Sequence, residues 1–142
     1  MRACERRRLQ SVFAGGLDVR YAAPASWHVE YYSDTNLGSR CFEGYESSTY
    51  VFKDWGDSAP AGGCPSNYWS ARFSQRVHFR GRSYTFALGC DDWGRIRVNG
   101  STVVNNWQGA GQHYECRSYT EGDYDVTIEF ADTEGHAMRA TW

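Results

Sequence analysis

At 142 residues with a formal net charge of −2, the chain is sized for a single domain that buries roughly two thirds of its unfolded surface. It lacks the basic field that nucleic acid or an anionic membrane would require, even though fourteen of its fifteen basic residues are Arg and only Lys53 is Lys. No apolar run reaches the roughly 18 residues that a transmembrane helix needs, which excludes insertion by a helix.

In chain order, the start "MRACERRRLQSVFAGGL" carries a basic cluster, but its apolar stretch is too short and polar for a signal peptide. Next, "GLDVRYAA" alternates Leu17, Val19 and Tyr21 with Asp18 and Arg20, a strand that can complete its own sheet or add to the open edge of a neighbour. Residues 1–26 precede the stretch covered by the family resemblance set out below and are read as an extension that can add a strand, with 27–142 as the domain. "WHVEYY" and "TYVFKDW" follow as strands. In "ARFSQRVHF", Ala71, Phe73, Gln75, Val77 and Phe79 share one face, and Arg72, Ser74, Arg76 and His78 the other. "RSYTFALGC" is a strand, Asp91-Asp92-Trp93-Gly94 the loop after it, and "RIRVNGSTVV" a hairpin turning at Asn99-Gly100 through a two-residue type I′ turn. "DYDVTIEF" sets Tyr124, Val126, Ile128 and Phe130 against Asp123, Asp125, Thr127 and Glu129, the signature of a half-buried antiparallel strand. "ADTEGHAM", residues 131 to 138, joins it to a final strand "AMRATW". No amphipathic helix is evident, and fifteen glycines with many short strands predict an all-β antiparallel sandwich or barrel.

Cys41, Cys64, Cys90 and Cys116 show neither CxxC spacing nor a nearby His pattern, so a zinc site is disfavoured. Four cysteines allow three pairings. We favour Cys41–Cys64 and Cys90–Cys116, each closing a loop worth about 3 kcal/mol by chain entropy, against the alternative of buried thiols. Cys4 is left over, as an unpaired thiol, a link to another chain or a partner that breaks this scheme.

The ordered set "FKDWGDSAP", "NYWSARF", "SYTFALGCDDWGRIRVNGSTVVNNW" and a closing "IEF…ATW" resembles the protective-antigen fourteen-kilodalton (PA-fourteen) domain family, from about Trp27 to Trp142. The resemblance implies an antiparallel β-sandwich of the kind found in toxins, glycosidase accessory domains and adhesins. In its lectin members an Asp-Asp pair binds Ca²⁺, and the ion binds sugar hydroxyls. Carried over by position, Asp91 and Asp92 resemble the first calcium loop, and Asp132 lies where lectin members place a ligand of the second loop. Glu134 matches a position facing ion or sugar in bacterial relatives. Trp93 replaces the small residue usual after the pair and would either stack on a sugar ring or plug the site. His136 could donate to a sugar. Trp55, Trp69, Trp107 and Trp142 read first as packing residues, and Asn105 and Asn106 as turn residues.

Ca²⁺ takes six to eight oxygen ligands in flexible geometry, which suits three carboxylates on two loops. No pair of carboxylates is nominated for glycoside hydrolysis, so no enzyme is expected. The expected function is a secreted or surface Ca²⁺-dependent carbohydrate-binding module of adhesin type, with glycan as partner. The alternative is a structural subunit of an extracellular assembly, self-associating through residues 1–26.

Overall fold

The alternating stretches become strands wherever they fall among the residues that the computed structural model describes, which are 26–47, 51–55, 57–90, 92–109, 111–133 and 137–141. The expected N-terminal strand and the proposed roles of residues 1–25 lie outside them. β4 (Trp69–Phe79) buries Ala71, Phe73, Val77 and Phe79 and turns Arg72, Arg76 and His78 to the other side. β9 (Gly122–Asp132) does the same with Val126, Ile128 and Phe130. The remaining strands are β1 (Ser26–Tyr32), β2 (Arg40–Ser47), β3 (Val51–Asp54), β5 (Arg82–Cys90), β6 (Trp93–Val98), β7 (Ser101–Asn106), β8 (Gly111–Tyr119) and β10 (Ala137–Thr141).

They form two antiparallel sheets, ordered β2-β1-β4-β9-β6-β7 and β3-β10-β5-β8. Their inner faces share one apolar core, in which Phe73, Ile96, Ile128 and Phe130 of the larger sheet join Val51, Tyr84, Phe86 and Leu88 of the smaller. The fold is an all-β antiparallel sandwich, as expected. At one end of the core Trp55 meets Trp69 edge-on at 4.7 Å and stacks on Phe130 at 5.4 Å, so both indoles are packing residues. Trp142 lies outside the described residues.

The hairpin between β6 and β7 turns where expected. Asn99 and Gly100 have φ of 49° and 81°, both in the left-handed region that a type I′ turn demands and that Asn and Gly tolerate. The Asn99 side chain accepts the Asp125 N–H at 2.8 Å, tying the turn to β9.

One expected disulfide forms and the other does not. Cys41 and Cys64 are bonded, with Cα atoms 5.4 Å apart. The Cys90–Cys116 pairing is overturned: Cys90 is a buried thiol, and Cys116 is disulfide-bonded elsewhere, with its partner outside the described residues. Strand register gives the reason. On the β5–β8 ladder Cys116 faces Thr85 and Cys90 faces Gly111. Five residues of offset at about 3.3 Å each place the two cysteines far beyond the roughly 7 Å that a disulfide can bridge. Cys90 instead accepts the Asn106 side-chain N–H at 3.1 Å and points its own S–H toward the Gly109 carbonyl at 3.8 Å. Alkylation of the denatured, unreduced chain followed by peptide mapping should label Cys90 and spare Cys41, Cys64 and Cys116. Label on Cys116 would contradict this framework.

Candidate functional site

The two acidic loops meet at one end of the larger sheet. Asp92 follows β5, and its Oδ2 accepts both the backbone N–H of Thr133 at 2.7 Å and the Thr133 hydroxyl at 2.5 Å. Thr133 follows Asp132, the last residue of β9, whose side chain is fully buried where it pairs with Trp69 of β4. The structure thus brings Asp92 and Asp132 to the same corner. Asp91, Glu134 and His136 lie outside the described residues. Among the described residues no three His, Cys, Asp or Glu side chains come together as a metal cage. Asp92 and Asp132 supply oxygen donors of the hard kind that Ca²⁺ favours, and a full set would need Asp91 or backbone carbonyls in addition.

Trp93 is not a loop residue but the first residue of β6, paired with Ala131. Its indole lies 5.9 Å from that of Trp107, and Trp107 in turn carries the Arg95 guanidinium over its face at 4.2 Å. Trp93 is therefore held in an aromatic and cationic stack. Trp107 belongs to that stack and not to the core.

Beside this stack is a feature that alternation concealed. Glu129 faces away from the apolar core, with Asp125 and Thr127, yet it is only 1% exposed. Arg72 on β4 donates to its Oε2 from Nε at 3.1 Å and from Nη2 at 2.9 Å. Arg95 on β6 donates to its Oε1 at 2.7 Å. Arg97 lies 3.4 Å from that same oxygen. Burial pushes the Glu129 carboxyl up, but the Arg95 and Arg72 hydrogen bonds outweigh it and hold the group below its ordinary 4.5. Arg72 also donates to the Tyr32 hydroxyl at 3.2 Å. Cross-strand neighbours in the register, with Arg72 and Arg95 both opposite Glu129, would have revealed the cluster had the strand order been known.

Further along the same face, His78 Nδ1 is 2.8 Å from Asp123 and Nε2 is 3.5 Å from Glu121. The Asp123 hydrogen bond, assisted by Glu121, raises the imidazole above its ordinary 6.5. A raised folded value stabilises the fold below the unfolded value and loses that stabilisation as pH rises through the folded one. Replacing His78→Gln should flatten the dependence of Tm on pH between about 6 and 8, and an unchanged profile would show that the pairs carry no linkage.

No protein-family model matches the chain. It is 28% identical over 117 residues, 79% of its length, to the anti-sigma-I factor RsgI3 of Acetivibrio thermocellus, and spans 18% of that protein. Its fold is similar to an anti-sigma factor domain-containing protein from Clostridium clariflavum, at TM-score 0.69 and 16% identity, covering 82% of this chain and 40% of that one. It is also similar to a PA14 sugar-binding domain from an RTX adhesin, at TM-score 0.51 and 18% identity, covering 82% and 87%.

These relatives correct the functional expectation. The sequence likeness that covers most of the chain is to an anti-sigma factor, not to a lectin, an adhesin or an extracellular filament subunit, and the glycan and self-association partners fall with that reading. At the level of fold, this chain shares the β-sandwich seen in anti-sigma factor domain-containing proteins and in PA14 domains.

Proposed function

We propose that this chain is a non-enzymatic regulatory module of an anti-sigma-type protein and that it acts through contact with a protein partner. The observation that carries the reading is the 28% identity to an anti-sigma-I factor over 79% of the chain. Because the chain spans 18% of that relative, the module would contribute one part of a larger regulator. The Cys41–Cys64 disulfide supports placing it on the oxidising side of a cell boundary, where thiols are not kept reduced. The motif run from Phe52 through Trp107 and the sandwich shared with a PA14 domain support membership of the PA-fourteen family as a structural class. The test is a transcriptional reporter for the cognate sigma factor in cells whose regulator lacks residues 27–142. Altered basal or induced output is expected. Identical output with and without the module would defeat the reading.

A second reading concerns the loop corner. We propose that Ca²⁺ braces it, held by Asp91, Asp92 and Asp132, and the burial of Asp132 beside the Asp92–Thr133 clasp favours this. An ion bound only by the folded chain stabilises it by mass action, about 2.7 kcal/mol at a hundred times its dissociation constant. Calcium should then raise Tm relative to chelator, and Asp92→Ala should abolish the rise. A wild-type Tm indifferent to calcium, with no heat of binding in calorimetry, would reduce the corner to a hydrogen-bonded turn.

A further inference from the structure

The Arg72–Glu129–Arg95–Arg97 cluster has more cation than the fold uses. One buried carboxylate stands among three guanidinium groups on a sheet face of a chain whose net charge is negative. Glu30 on β1 lies opposite Arg72 and offsets part of its charge while sharing Arg40 with Glu43, and Asp125 pairs with Arg76 at 2.8 Å. Arg40, Arg72, Arg95 and Arg97 against Glu30, Glu43 and Glu129 leave one positive charge, which lies with Arg95 and Arg97 on β6. Both oxygens of Glu129 are already engaged, Oε2 by Arg72 and Oε1 by Arg95 and Arg97. Among the described residues Arg95 makes its hydrogen bond through Nε, and Arg97 makes only the 3.4 Å ion pair. Side-chain exposures of 21% and 35% leave Arg95 and Arg97 reachable from solvent. An arginine fork matches a carboxylate in two-point geometry.

We infer that this face docks an acidic, extended peptide segment of a partner protein, with carboxylates two residues apart engaging Arg95 and Arg97 and an apolar side chain resting on the Trp93–Trp107 pair. Arg95 and Arg97 lie two residues apart on β6, about 6.6 Å along a strand, which is also the spacing of alternate side chains in an extended peptide. Glu129 hydrogen-bonds Arg95 Nε and so holds that guanidinium before the partner arrives, which lowers the side-chain entropy lost on binding. A short segment with two carboxylates suits this patch better than a nucleic-acid backbone does, because so small a positive surplus offsets few phosphates and the net negative chain repels a long polyanion. The inference refines the protein-contact reading above by naming the partner's chemistry.

The test uses the full chain and two blocked hexapeptides, Val-Gly-Glu-Gly-Glu-Gly and its glutamine counterpart Val-Gly-Gln-Gly-Gln-Gly, in which the apolar and acidic side chains share one face, read by tryptophan fluorescence and by calorimetry. The glutamate peptide should bind with a Kd that weakens as salt rises, and the glutamine peptide should bind at least about tenfold more weakly, a loss of roughly 1.4 kcal/mol. Arg97→Gln, which removes no hydrogen bond within the fold, should weaken the glutamate peptide severalfold while leaving Tm close to wild type. If Arg97→Gln proves unstable, the peptide pair on the wild-type chain still decides. Equal binding of the two peptides, no binding at millimolar concentration, or capture of a single-stranded oligonucleotide in place of the peptide would overturn the inference. The assay contains no sigma factor, so its failure leaves the reporter result standing, and the reverse also holds.

Discussion

Glu129→Ala should lower the stability of this protein by about 3 kcal/mol, a fall in Tm of roughly 10 °C at this chain length. The loss comes from what is left behind. Without the carboxylate, Arg72, Arg95 and Arg97 face one another across three strands with no anion between them, and like charges at such range repel. The figure sits at the low end for a broken buried ion pair because all three arginines retain some solvent contact. Glu129→Gln keeps the volume and two hydrogen-bonding atoms, so it should cost less than alanine. Acid separates the charge from the shape. Since the folded carboxyl is held below its ordinary value, wild type keeps the stabilisation above pH 4.5 and loses it as pH falls through the folded value. The alanine variant should have a shallower acid limb in thermal melts. Equal acid limbs in the two proteins would show that the cluster is not coupled to protonation.

Phe130→Ala, one residue on and on the opposite face of β9, should cost about 3–5 kcal/mol for a different reason. Phe130 is fully buried, 5.4 Å from Trp55 and 5.5 Å from Trp69, and its removal leaves a cavity lined by two rigid indoles that cannot collapse into it. A near-neutral melt would mean that the tryptophans repack. With total stability of about 5–15 kcal/mol expected for such a domain, either substitution consumes a large share. Their response to pH distinguishes them, since the phenylalanine variant should keep the wild-type acid limb.

Those two neighbours also mark how far the sequence could be read. Phe130 was legible because period-two alternation reports directly on the apolar face of a strand. Glu129 looked equally legible, as a solvated residue, and was not: alternation assigns a side chain to a face but says nothing of what lies on adjacent strands. β2 and β8 escaped notice for a related reason. Both are edge strands, and residues such as Tyr45, Gln112 and His113 remain exposed, so neither strand carries a clear apolar stripe. The meeting of the two acidic loops was implied by the PA-fourteen resemblance, which places both in one calcium site, and not by the alternation of the strands. The Asp92–Thr133 clasp that joins them depended on coordinates. Cys90 was misassigned because loop length was weighed and ladder register could not be.

The longest pairing among the described residues, β4 with β9, runs from Trp69 opposite Asp132 to Phe79 opposite Gly122, so more than forty residues separate even its nearest partners. A nascent chain must therefore complete β9 before the middle of its larger sheet can close, and closure of such non-local contacts belongs to the slow, millisecond-to-second regime of folding. Until then β4 waits with an open edge beside apolar Phe73, Val77 and Phe79. Arg72, Arg76 and His78, alternating with them, act in that interval as gatekeepers, charged interruptions that discourage one unfinished chain from templating on another. The residues that pair with Glu129, Asp125 and Asp123 in the finished sandwich would thus have served first during synthesis.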